Sequence, residues 1–186
     1  MYHQFYEQNL NNYLAAIYCS SRGSSLAWLD LSTGAFLVQT IDFTNVGTVL
    51  SRIEPSEILI TENSLASCDL FATSGPWKNL FTFVPEITPD KNIAISKFEE
   101  FFKNGDTSFL YGLSNTELFS CMILFDYLVI TQKGTIRNLQ EPVKFQDSNI
   151  MLIDDATRKN LELTKTIDGS KEGSFLNSID FTKTSV

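Results

Sequence analysis

Histidine is almost missing from this chain: His3 is the only one among 186 residues, and it stands in the polar lead-in "MYHQFYEQNLNNYL". Histidine-based acid–base chemistry and histidine-ligated zinc therefore have no residues to work with. Basic runs are scarce as well. The longest is Arg158-Lys159, against a formal net charge of −8, so no stripe could neutralise several phosphates in a row, and the chain alone is not expected to grip nucleic acid. No apolar run approaches the ~20 residues that span a bilayer; the longest, "CMILFDYLVI", is broken by Asp126. The start has neither the basic nor the apolar region of a secretory signal. Phosphate loops are missing too, because "ATSGPWK" and "FTKTSV" lack the glycines or the GK[ST] ending of a P-loop. Cys19, Cys68 and Cys121 are widely spaced and mostly in apolar surroundings. They read as reduced thiols of a cytoplasmic protein rather than as a disulfide framework or a CxxC metal site.

What is present is enough hydrophobic sequence, 43%, for one globular domain with a core and a remainder. Three β-type runs come first, "YLAAIYCSS", "LAWLDLST" and "AFLVQTI", separated by "RGSS" and Ser32-Thr33-Gly34. The turn chemistry predicts an antiparallel meander over 13–41. The period then changes. Val46, Val49, Leu50 and Ile53 share one helical face, with Thr44 as the expected N-cap and Pro55 as the stop. "EILIT" follows without alternation, as a strand buried on both faces would, and a helix between it and the meander predicts a crossover.

Further along, "SLASCDLF" reads as a short helix and "NLFTFVPEI" as a strand. "ISKFEEFFK" has Ile95, Phe98, Phe101 and Phe102 at helical spacing, with Gly105 as the expected C-cap. The long helix is "NTELFSCMILFDYLVITQK": Ser114 and Glu117 make a Ser-x-x-Glu capping box, and apolar residues cover nearly its whole circumference. Pro142 argues against a central strand after it. "DDATRKNLEL" then opens another helix with Asp154 or Asp155 as N-cap, and it fades into the glycine-bearing "DGSKEG".

A β-β-β-α-β order followed by further α/β elements is the pattern of ribonuclease H-like folds, whose nucleases place a carboxylate on the first strand to hold divalent metals. Here that strand, "YLAAIYC", has no acid. Asp30 and Asp126 are the remaining candidates; without a first-strand partner Asp30 reads as a turn residue and Asp126 as a helix residue at the core margin. A free-standing metal-dependent nuclease is the alternative kept open. Trp77 fits equally an exposed anchor or a cover for one end of the sheet. The phenylalanine face of "ISKFEEFFK" reads as core, which leaves its polar face for a partner.

"NNYLAAIY" (Asn11–Tyr18), "LAWLDLSTGAFLVQT" (Leu26–Thr40), "IEPSEILITEN" (Ile53–Asn63) and "MLIDDATRKNLELTKTIDGSKEGSFLNSIDFTKTSV" (Met151–Val186) closely resemble successive blocks of the MutS family of bacterial mismatched-DNA recognition proteins. The resemblance is collinear and spans nearly the whole chain. It implies an α/β fold: a lead-in at 1–10, then a ribonuclease H-like connector domain at 11–146, a mixed β-sheet flanked by helices. Residues 147–186 are implied to be the first helical segment of an all-α core domain.

The family's mismatch-binding domain would precede these residues, and its ATPase would follow them. Its mismatch-binding and nucleotide-binding residues therefore map onto no position here. The resemblance implies no catalytic residue, cofactor or metal in this segment, with ATP and Mg²⁺ belonging to the whole family protein, itself a homodimer. The segment would link the mismatch-binding domain to the core, relay allosteric signals and offer MutL a docking surface. Mismatched DNA would be met only through the full-length protein, and no membrane is involved. The docking helix of the family maps onto 95–102, with Ser96, Lys97 and Glu100 as its expected exposed members.

Overall fold

Eight residues that are nearly all apolar, Tyr13–Ser20, form β1 at the centre of a six-stranded sheet. In a computed structural model the described residues are 12–42, 45–67, 75–102, 107–131, 139–146, 153 and 155–181. The chain divides into two compact units, Met1–Gln146 and Asp147–Val186.

In the first unit β1 pairs antiparallel with β2 (Gly23–Asp30), which pairs antiparallel with β3 (Phe36–Ile41). The meander covers the predicted range. Its second turn forms because Gly34 takes φ 79°, a conformation that costs a glycine little, while the Asp30 carboxylate accepts from Ser32 N at 2.8 Å and Thr33 Oγ1 at 2.8 Å. α1 (Val46–Ile53) carries the chain to β4 (Glu57–Ile60), which lies parallel to β1. The N-cap of α1 is Asn45, without a side-chain cap bond; the expected Thr44 lies outside the described residues. α2 (Glu62–Ser67), a 3₁₀ turn at Gly75–Leu80 and β5 (Phe81–Phe83) follow, with β5 parallel to β4. With β6 (Val143–Lys144) at one edge, the strand order is β5-β4-β1-β2-β3-β6.

Alternation along these strands sorts the core onto the two faces of the sheet. Ala15, Ile17, Leu26, Trp28, Ile58 and Ile60 pack toward α1. Half-buried Trp77 packs against this cluster, so it covers the sheet. On the other face Leu14, Ala16, Ala27, Leu29 and Leu59 meet α3 (Lys91–Phe101) and α5 (Asn115–Thr131), with the short α4 (Phe109–Gly112) between them. α5 buries residues on every side, from Glu117 to Leu128.

α3 starts four residues earlier than its apolar spacing suggests, because Asp90 caps it, accepting from Asn92 N at 2.7 Å and Ile93 N at 3.4 Å. Gly105, its expected C-cap, lies outside the described residues. Cys121 is a free, buried thiol, as read from its surroundings. The reading of Cys19 as a reduced thiol is corrected: Cys19 is disulfide-bonded.

The capping box forms as expected. Glu117 N donates to Ser114 Oγ at 3.2 Å, and Ser114 N donates to Glu117 Oε2 at 2.8 Å. Two further donors reach the same buried carboxylate: Thr40 Oγ1 from β3 at 3.0 Å, and Lys144 Nζ at 3.0 Å. Lys144 belongs to β6 (Val143–Lys144), a two-residue edge strand that follows Pro142 and lies parallel to β3. The N-terminus of α5, a central strand and an edge strand are thus tied at one oxygen pair. In the second unit the turn after α6 (Asp155–Asn160) is tied to the start of α7 (Phe175–Ile179) through Phe175 N to Glu162 O at 2.9 Å and Leu176 N to Leu163 O at 2.9 Å. Asp154, one of two expected caps of α6, is outside the described residues.

Burial alone would raise the pKa of Glu117, but the hydrogen bonds from Ser114, Lys144 and Thr40 outweigh it and hold the carboxyl below its ordinary 4.5. The stabilisation is therefore present above that value and lost as pH falls through the lowered folded pKa. Glu117→Gln is expected to cost about 1–3 kcal/mol at neutral pH in urea denaturation. The gap to the parent chain should narrow as pH drops below the ordinary glutamate range.

Candidate functional site

Helical spacing divides α3 into three sides. Ala94 and Phe98 are buried against the sheet-facing core. Phe98 packs on Phe125 of α5 with ring centroids 5.1 Å apart, and Phe101 lies 5.1 Å from the same ring; Phe98 is core as expected, whereas Phe101 packs at the margin and remains exposed. Ser96, Glu99 and Glu100 are on the opposite, exposed side.

Lys97 lies between these two sides, half-buried, and its ammonium bridges both oxygens of Asp126 on α5 at 2.8 and 2.7 Å. The three residues expected to be exposed therefore do not share one environment. Ser96 and Glu100 face solvent, whereas Lys97 is engaged within the unit.

The Lys97–Asp126 pair forms one wall of a groove of about 440 Å³. Its other walls are the segment 84–88, which leaves β5, and the last turns of α5. The segment owes its course to its ends: Val84 N donates to Ile60 O at 3.0 Å, continuing the ladder, and Pro85 and Pro89 bar it from regular structure. Glu86 turns back to accept from Asn63 N at 2.8 Å. Across the groove Tyr127 donates its hydroxyl to Glu57 Oε1 at 3.0 Å, and Thr82 Oγ1 donates to the same oxygen at 2.6 Å. Burial, then the adjacent Glu57 carboxylate, raises the Tyr127 phenol above its ordinary 10.0.

Asp30 and Asp126, the two acids weighed for metal chemistry, are each occupied. Asp30 is held by its own turn; burial opposes its ionisation, but the donors of Ser32 and Thr33 prevail and lower its pKa. Asp126 is held by Lys97. Among the described residues no group of three His, Cys, Asp or Glu side chains is placed to hold a metal ion. Burial pushes the Cys121 thiol well above its ordinary value, which keeps it from acting as a nucleophile.

The sequence reading missed Asp126 as the partner of Lys97 and missed Ile93 and Ile130 as groove residues. One signal was available for Ile93: Pro89-Asp90 is a helix start, and with the cap placed there Ile93 falls one turn before Lys97.

Comparison with known proteins places residues 12–140 within the model of MutS domain II. The DNA mismatch repair protein MutS of Ruegeria pomeroyi is 34% identical over 178 residues, covering 96% of this chain and 20% of that protein. MutS of Wolbachia pipientis wMel is 32% identical over 178 residues, covering 96% and 21%. MutS of Orientia tsutsugamushi strain Boryong is 33% identical over 176 residues, covering 95% and 20%. The chain spans about a fifth of the length of these curated relatives. Among the described residues no helix is long and apolar enough to cross a membrane.

The Lys97–Asp126 pair is partly exposed on both sides, so its charges remain hydrated and its worth is that of a surface ion pair. Lys97→Met, which keeps the aliphatic stem, is expected to cost at most about 1 kcal/mol, against about 3–5 kcal/mol for Phe98→Ala one residue along. Equal losses in urea denaturation would make the pair a structural element rather than a surface group open to exchange.

Proposed function

Because the chain belongs to the MutS domain II family, we propose that it serves as a connector in a mismatch-repair protein, linking a mismatch-binding domain to a helical core. In that role it relays nucleotide and DNA state between them and offers MutL a docking surface. The matched region is not itself catalytic. ATP, Mg²⁺ and mismatched DNA are engaged elsewhere in the whole protein, which acts as a cytoplasmic homodimer. The observation that carries this reading is the collinear match of 96% of the chain to MutS at 34% identity.

The ribonuclease H-like reading is supported by the strand order, with an antiparallel meander β1-β2-β3 extended by β4 and β5 parallel to β1. The acidity of the chain suits a connector better than a DNA grip. The nuclease alternative gains no support from Asp30 and Asp126, which are held by other groups. Residues 147–186, on this reading, begin the core domain, and the exposed Leu161, Phe175, Leu176 and Ile179 of the second unit suit a segment that packs against further helices.

Docking is assigned to α3, with Ser96 and Glu100 on the solvent side and Lys97 at its edge. Calorimetry of the 186-residue chain with a MutL N-terminal domain should detect binding, and Ser96→Arg should weaken it about tenfold or more through steric and charge mismatch at the interface. Absence of binding by the parent chain, or indifference to Ser96→Arg, would remove the docking surface from α3.

A further inference from the structure

The groove beside α3 is apolar where a side chain would enter it and anionic where a neighbouring charge would lie. Ile93, Val129 and Ile130 line it and remain 43%, 40% and 70% exposed. Three large aliphatic groups left in water around one concavity favour a covering group of the same character.

Among the described residues the ionisable lining groups are Glu86, Lys97, Asp126 and Tyr127. Lys97 and Asp126 neutralise each other, and the Tyr127 hydroxyl is directed at Glu57. Among the described residues Glu86 accepts a neutral backbone N–H, from Asn63, so the described lining carries one net negative charge. Nearby, α3 and its cap carry Asp90 and Glu99 beside Lys91. A phosphate-bearing or otherwise anionic occupant is repelled here, and a cation adjacent to an aliphatic group is attracted.

We propose that this groove docks a short segment of a partner protein in which a leucine- or isoleucine-sized side chain stands next to a lysine or arginine. The aliphatic group lies against Ile93 and Ile130, and the cation lies on Glu86. Lys97 borders both this groove and the solvent side of α3, so one partner can cover the helix and place such a segment beside it. The proposal rests on the assignment of this face to protein docking, and it adds the chemistry of what docks.

The test is a titration of the isotope-labelled 186-residue chain, followed by amide chemical shifts, with three short peptides. One carries Lys-Leu-Ile-Arg between Gly-Ser ends, the second Glu-Leu-Ile-Glu, and the third Lys-Ser-Ser-Arg. The first should move amides within 84–88, 93–97 and 126–131, and the other two should bind about fivefold or more weakly. Ile130→Glu, at a solvent-exposed position, should weaken the first peptide about tenfold. Glu86→Gln, which keeps the acceptor for Asn63, should weaken it about threefold.

Shifts confined to other surfaces, no response at millimolar peptide, or equal response to the acidic peptide would overturn the proposal. Failure of the peptide titration alongside MutL binding that is sensitive to Ser96→Arg would remove the groove and leave α3 docking intact. Peptide binding without MutL binding would remove MutL as the partner and leave the groove chemistry intact.

Discussion

A helix of 17 residues that is apolar on every side cannot rest on a surface; it must be enclosed, and the first unit is arranged around that requirement for α5. The sheet takes one side and α3 takes another, with the Phe98 and Phe101 rings against Phe125. Position along the sheet is set by polar groups rather than by grease. The Ser25 hydroxyl of β2 donates to the Thr116 carbonyl at 2.6 Å and lies 3.0 Å from Ser120 Oγ. Glu117 gathers donors from the cap, β3 and β6. Buried polar bonds of this kind are directional and costly to leave unmade, so they select one register where apolar packing would accept several.

Enclosure of α5 is complete from Glu117 to Phe125 and incomplete at its end. Past Leu128 no described element covers the helix fully, and Val129 and Ile130 remain in solvent beside the prolines of 84–89. The groove is the residue of that mismatch between a helix patterned for burial and the cover available to it. Lys97 and Asp126 close its side with an exchangeable pair rather than a packed one. A face so built holds its shape through the core beneath it while keeping both apolar area and charge on offer, which is what transient docking requires.

Much of this was legible in the residues because the signals are local. The meander follows from short apolar runs and turn residues such as Gly34, and the capping box from Ser114 and Glu117 three positions apart. Pro142 marked β6 as an edge. What was not legible lies between segments distant in sequence. Nothing local pairs Lys97 with Asp126, 29 positions away, or Thr40 with Glu117, 77 positions away. The α3 boundary was misplaced because apolar spacing outweighed the weaker cap signal at Asp90, and the disulfide at Cys19 was missed because its apolar surroundings read as those of a buried thiol.

The central claim is that the α3–α5 face is where this unit meets another protein. Hydrogen–deuterium exchange of the chain, alone and with a MutL N-terminal domain, tests it without presupposing any single residue. The account predicts slowed exchange confined to 84–101 and 123–131. Slowed exchange at the β6 edge or in 155–181, with the α3–α5 face unchanged, would contradict it.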